Sequence, residues 1–275
     1  MARPNQDGTF FTVAVVARIG LESGIEVGIE AAVQSVPPGT DLVVLPYLGT
    51  SPWFMDKADR KGYAHAERSP FSTLQAAIGA AKHRNIPVVV SYYEAAAEGT
   101  FYATAAVVAG DGSVIGTYRQ AHALNRPGWH EQLYVQPGTA GGFPVFQAGA
   151  ARIGLLLGSD LWVPEAARLL AVNGAEIIIV QSGIFGYHEV QADTLGTARA
   201  IENGCFCLLA KRGKETLVFD PLGRPVTMHA EGDDQRSFRI DLAEQRELRR
   251  RGDPVNMRRP AIYGGLVRGR EETHL

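Results

Sequence analysis

The side chains most able to do chemistry are few and scattered. Cys205 and Cys207 lie two apart in a Cys-Phe-Cys-Leu-Leu-Ala run. A thiol can act as nucleophile, metal ligand or half of a disulfide. Residues at i and i+2 of a strand share one face, so this pair neither frames a disulfide-stapled fold nor completes a zinc site. The two read as small apolar residues of a core. Arg249, Arg250 and Arg251 end a charged segment that also carries Glu244 and Glu247. Positive charge suits a helix C-terminus, and without interleaved aromatics it reads as a solvated face or an interface, not a nucleic-acid site. No phosphate loop, dinucleotide fingerprint or metal-ligand spacing is present, so no cofactor and no metal is expected. Two short polar groups remain: Trp129-His130-Glu131 and Gly158-Ser159-Asp160. A serine becomes a nucleophile only beside a base, and a lone loop histidine such as His130 is usually solvated.

The elements that must position these groups follow from pattern. Apolar, β-branched runs predict strands at 10–18, 41–46, 87–94, 142–147, 151–158, 176–182, 205–211 and 237–242. Helical spacing covers 24–36, 69–85, 164–175, about 190–203 and 243–252. Pro37-Pro38-Gly39 stops the first helix, and Ser or Thr is available to cap the second. Pro164 opens the third and Gly174 closes it. Residues 103–119 read as a hairpin turning at Asp111-Gly112. Residues 215–226 read as a strand and a Pro-Leu-Gly turn, and the last two dozen residues as an irregular tail. Strands alternate with helices, but hairpins interrupt them, so two mixed sheets covered by helices fit better than one doubly wound sheet. No linker divides the 275 residues, which are read as a single domain over 1–275.

Hydrophobic residues make up 45% and charged residues 20%, values of an ordinary globular chain rather than a disordered one. A formal net charge of −2 gives no field that would draw nucleic acid or a membrane surface. The N-terminal MARPNQDGTF has no signal-peptide layout and no apolar run has transmembrane length. The expectation is a soluble cytoplasmic protein.

Several segments, in order, resemble the nitrilase (carbon–nitrogen hydrolase) superfamily. They are DLVVLP-Tyr-Leu, GDGSVIGTYRQAHAL, HEQLYVQPG, RIGLLLGSDLWVPEAARLLAVNGAEIIIVQS, RAIENGCFCLLAKRG, FDPLGRPV and RRPAIY. The resemblance runs nearly end to end. It implies a four-layer αββα sandwich. It also implies a homodimer or higher even oligomer formed through helices near the nucleophile elbow, with the tail from about residue 252 at the interface.

The family's chemistry is covalent: a cysteine attacks, a glutamate acts as base and a lysine stabilises the oxyanion. By the resemblance those positions hold Gly158, Tyr47 and Gln120. Glycine offers no nucleophile, a phenol with a pKa near 10 is a poor base, and glutamine donates a hydrogen bond without charge. Gly158 is expected to leave open space. Ser159 lies one residue past the nucleophile position, on the turn. Glu131 matches the family's second glutamate. Buried without a lysine it should have a raised pKa, and it is the candidate acid or base, unless it serves as a structural acceptor toward Gln120 or Tyr47. Ser159, Trp129, His130 and Gln181 are the candidate ligand contacts. Glu94, Asp160, Pro164, Glu165 and Arg168 are read as residues of the fold, and His122 as packing. Ala103 and Lys211 stand where the family often has Asn.

Three readings follow. The first is a pseudoenzyme: a ligand-binding or assembly subunit, with an active paralogue as a candidate partner, unable to do cysteine-type hydrolysis. The second is a repurposed enzyme using Glu131 for non-covalent proton transfer, dehydration or cyclisation on a small polar ligand. The third is an amide hydrolase using Ser159.

Overall fold

A computed structural model of the chain describes residues 10–138, 142–183, 189–213, 216–232 and 234–267. In chain order the strands are β1 (Phe10–Val16), β2 (Leu42–Val44), β3 (Val88–Ala95), β4 (Phe101–Val108), β5 (Val114–Arg119), β6 (Asn125–Arg126), β7 (Trp129–His130), β8 (Val145–Ala148), β9 (Ala151–Leu157), β10 (Ile177–Ser182), β11 (Phe206–Lys211), β12 (Leu217–Phe219), β13 (Met228–Gly232) and β14 (Gln235–Asp241). The helices are α1 (Ile25–Gln34), α2 (Ser72–Arg84), α3 (Glu131–Tyr134), α4 (Pro164–Val172), α5 (Glu189–Asn203) and α6 (Leu242–Gly252).

The strands build one seven-stranded sheet, β13-β14-β1-β2-β3-β4-β5, one five-stranded sheet, β12-β11-β10-β9-β8, and a small β6-β7 ribbon. Both large sheets are mixed: β1-β2-β3 and β9-β10-β11 run parallel, while their flanks are antiparallel. The layering follows from strand alternation. In β1, Val13 and Val15 enter a core shared with Ile153, Leu155, Ile177 and Leu208 of the other sheet. Their neighbours Ala14 and Val16 pack on the other side with Ile29, Val33, Ala77 and Ala81 of α1 and α2. Likewise Ile178, Val180, Cys207 and Leu209 meet Ala166, Leu170, Ala192 and Ala200 of α4 and α5. The expected layered α/β sandwich of two mixed sheets is thus present. Among the described residues no helix is long and apolar enough to cross a membrane.

Local chemistry explains the ends of the elements. Gly112 (φ +86°) turns the β4–β5 hairpin while the Asp111 carboxylate accepts from the Ser113 N–H at 2.8 Å. Gly174 (φ +91°) closes the end of α4. At α2 the expected Ser or Thr cap is not used. Phe71 occupies the cap position, and Glu67 instead takes the Thr73 N–H at 2.9 Å and the Thr73 hydroxyl. A carboxylate satisfies the orphan donor and also complements the positive helix end. Asp241 caps α6, accepting from Ala243 N at 2.9 Å and Glu244 N at 3.0 Å. Asp241→Ala is expected to cost about 1 kcal/mol of stability, read as a lower denaturant midpoint with unchanged slope.

β13, the β6-β7 ribbon and α3 had no counterpart in the sequence reading. The tail forms short 3₁₀ turns at Pro254–Met257, Pro260–Ile262 and Gly264–Val267.

Candidate active site

The parallel strand β9 ends on Leu157, and the chain then enters a 3₁₀ turn over Gly158–Trp162. Gly158 sits at φ +48°, left-handed backbone that glycine adopts without strain. The turn is fixed by Asp160. Its carboxylate accepts from Tyr118 Oη at 2.7 Å, His122 N at 2.9 Å, Leu157 N at 3.1 Å and Ala121 N at 3.2 Å, and pairs with His122 Nδ1 at 2.9 Å. Tyr118 lies near the end of β5 in one sheet and Leu157 ends β9 of the other. The fully buried Asp160 therefore ties the two sheets together at this edge. The reading of Asp160 as a residue of the fold agrees with these contacts, and so does the packing role of His122.

That tether aims Ser159 at Glu131. The Ser159 hydroxyl donates to Glu131 Oε2, which also accepts from the Leu124 N–H at 3.1 Å. Glu131 is completely buried. Burial pushes its carboxyl up to about 7, although hydrogen bonds from Ser159, Leu124 and Trp129 pull the other way. Oε1 accepts no well-formed hydrogen bond among the described residues. It lies 2.1 Å from the point where a Cβ on residue 158 would sit, with Gln120 Nε2 at 2.9 Å from that point. The expectation that Gly158 leaves open space is corrected here, because the Glu131 carboxylate occupies it.

Tyr47 and Gln120 pair with each other. The phenol donates to Gln120 Oε1 at 2.8 Å, and Gln120 Nε2 donates to the His122 carbonyl at 2.8 Å. Neither hydrogen bond runs to Glu131: the phenol donates to the Gln120 oxygen, and the bonded Gln120 N–H donates to the His122 carbonyl. An amide nitrogen carries two hydrogens, so one is left beside the Gly158 position. Burial, and then the negative charges of Glu131 and Asp160, push the Tyr47 phenol well above its ordinary value of 10, so it stays a donor at neutral pH.

The remaining candidates divide. Trp129 is buried, hydrogen-bonds toward Glu131 and packs edge-on to Trp162 at 5.2 Å. The His130 ring is engaged by Asn125 Oδ1 at 2.8 Å within the ribbon. Gln181 is buried and donates to the Leu45 carbonyl, linking β10 to the end of β2. Glu94 accepts from Thr104 and, through both oxygens, from Arg119, which makes it a structural group as expected. Lys211 pairs with Asp193 of α5 at 3.0 Å. Two contributors escaped the sequence reading. The Leu124 N–H is a backbone donor with no sequence signature. Arg212 donates to the Leu48 carbonyl at 2.7 Å and to the Ser51 carbonyl, and so pins the loop after β2 that carries Tyr47. A charged residue just past an apolar strand was the available signal for it.

Comparison with known proteins adds the chemical context. Residues 20–250 match the carbon–nitrogen hydrolase family. The chain is 29% identical over 244 residues to an (R)-stereoselective amidase of Pseudomonas sp, covering 85% of each. It is 31% identical over 147 residues to N-carbamoylputrescine amidase of Solanum lycopersicum, covering 53% of this chain and 48% of that one. The chain thus spans about half the length of that relative. The crystal structure of a carbon–nitrogen hydrolase from Helicobacter pylori G27 superposes with a TM-score of 0.84 at 26% identity, covering 94% of this chain and 99% of that one. These similarities overturn the expectation of a pseudoenzyme or assembly subunit, since both sequence relatives are named as amidases. That expectation rested on three residue types, Tyr47, Gln120 and Gly158. It had no access to the Glu131–Ser159 contact, which joins residues 28 positions apart.

Proposed function

Because the chain belongs to the carbon–nitrogen hydrolase family, we propose that it hydrolyses the amide bond of a small molecule, with Ser159 as nucleophile and Glu131 as general base. The observation that carries this reading is the hydrogen bond from the Ser159 hydroxyl to a buried carboxyl held near pH 7. A serine needs an adjacent base, and a base is most effective when its pKa lies near the working pH.

In this reading Tyr47, Gln120 and Gly158 take the places of the family's glutamate, lysine and cysteine. The chain's own thiols do not substitute. Cys205 and Cys207 are buried, and that burial pushes both up to about 12.

The steps balance as follows. Glu131 takes the Ser159 proton as Oγ bonds to the amide carbon, which gives a tetrahedral oxyanion. The second N–H of Gln120 Nε2, whose nitrogen stands 2.9 Å from the Cβ point of residue 158, is the neutral donor assigned to that oxygen in this reading. Collapse breaks the C–N bond, and protonated Glu131 returns its proton to the leaving nitrogen. Water, deprotonated by Glu131, then cleaves the Ser159 ester, and the proton passes back to Oγ.

The relatives' names make carbamoyl and primary amides the first substrates to try. Purified protein is expected to release ammonia from at least one such amide. Ser159→Ala should reduce that rate by about 10³-fold or more, and rapid quenching followed by mass spectrometry should find the acyl group on Ser159. Turnover that survives Ser159→Ala, or the absence of any released ammonia across the panel, would sink the proposal.

A further inference from the structure

A second cleft lies at the same carboxyl-terminal edge of the parallel strands, lined by other residues. Three chain segments leave strands there. Ala17 and Arg18 follow β1, residues 46–52 follow β2, and Arg212 and Gly213 follow β11. They are stitched by Gly213 N donating to Ala17 O at 2.8 Å and by the Arg212 guanidinium on the Leu48 and Ser51 carbonyls. Between them lies a cleft of about 400 Å³, within the range of small-molecule sites.

Its charge is one-sided. Arg18 and Arg212 both line it, and among the described residues no aspartate or glutamate does. Arg212 is mostly buried, and that burial lowers its affinity for its proton. Among the described residues no carboxylate forms an ion pair with it. Backbone carbonyls solvate the guanidinium but carry no net charge to balance it. Arg18 forks onto Asp234 at 3.2 and 3.3 Å, but with side-chain exposures of 73% and 48% that pair is screened by solvent. An anion in the cleft would compete with Asp234 for the exposed Arg18 guanidinium.

We propose that this cleft is an anion site that takes the carboxylate or phosphate group of a small molecule between Arg18 and Arg212, separate from the Glu131–Ser159 pair. Guanidinium suits both anions: Arg18 has paired donors that match two oxygens, while Arg212, with Nη1 and Nη2 on backbone carbonyls, adds its charge and its remaining N–H groups. Occupancy would reach the Tyr47 loop directly, since the guanidinium that meets the anion is the one that holds the Leu48 and Ser51 carbonyls.

The test is calorimetric titration of the full chain with inorganic phosphate and, separately, with succinate; the tighter ligand identifies the preferred anion. Saturable binding of at least one is expected. It should weaken about tenfold in Arg18→Ala, which removes one charged hydrogen-bonding partner, and recover in part in Arg18→Lys. Ser159→Ala should leave it unchanged, which keeps this site distinguishable from the hydrolase reading. Failure of both anions to bind the wild-type chain, binding indifferent to Arg18→Ala, or binding lost in Ser159→Ala would each overturn the proposal.

Discussion

Glu131→Gln is expected to lower amide turnover by about 10²–10⁴-fold and, at the same time, to make the protein harder to unfold above neutral pH. The two effects share one cause. Burial raises the Glu131 carboxyl from its ordinary 4.5 to about 7. Only the ionised form can accept the Ser159 proton, so turnover should rise with pH through an ascending limb near 7. For stability the sign runs the opposite way. The folded state holds this proton more tightly than the unfolded chain does. Its contribution is therefore fully present below about pH 4.5, shrinks as pH rises from there to about 7, and stays lost beyond. The difference corresponds to about 3 kcal/mol at most. Glutamine keeps the shape and cannot ionise. Denaturant melts should show variant and wild type nearly equal at about pH 4.5, with the variant ahead by up to ~3 kcal/mol at about pH 8. A variant that turns over amide at the wild-type rate, or a stability difference that does not change with pH, would count against this account.

What the sequence discloses and what it hides divide along physical lines. Elements with strong apolar period, such as β3, β9, β10 and α4, could be read directly, because each buries one side or both against a core. β13, with its sequence Met-His-Ala-Glu-Gly, could not. It is a short edge strand paired on one side only, and it holds no β-branched or aromatic residue to mark it as a strand. The capping of α2 was misread because the acceptor is Glu67, five residues before the helix, and not a neighbouring hydroxyl. The chemistry of the site divides in the same way. Residue types at Tyr47, Gln120, Glu131, Gly158 and Ser159 were legible from the motifs that surround them. Their pairing was not. Whether the Gln120 N–H₂ donates to the His122 carbonyl or to Glu131 depends on how β5, the loop after it and the elbow approach one another. Asp160 decides that approach through contacts that span 38 to 42 residues. The pseudoenzyme expectation failed at this point. That expectation was read from the residue types at Tyr47, Gln120 and Gly158 together, and residue types alone could not disclose the contact between Ser159 and Glu131.

Gly158→Ala tests that arrangement from its other side and should be among the most damaging single-carbon additions in the chain. The new Cβ would stand 2.1 Å from Glu131 Oε1 and 2.9 Å from Gln120 Nε2, on backbone at φ +48°. The left-handed conformation alone costs about 1–2 kcal/mol for a residue with a side chain. The carboxylate must also move, which breaks its bonds to Ser159 and Leu124 while it stays buried. That costs about 1–3 kcal/mol more. A total near 3–4 kcal/mol should lower the melting temperature by on the order of 10 °C, and turnover should fall with it, because Ser159 loses its base. The decisive measurement is a double-mutant cycle with Glu131→Ala. Once the carboxylate is gone, the added methyl has room, so Gly158→Ala should cost only its backbone strain, leaving a coupling of about 2 kcal/mol. A cycle with no coupling would mean that the carboxylate yields freely and that the space at residue 158 is not contested. The same contest bears on Gly158→Cys. A thiol placed there meets the Glu131 carboxylate before it meets any substrate, so this single change is expected to restore no cysteine-type turnover and to destabilise the fold at least as much as alanine does.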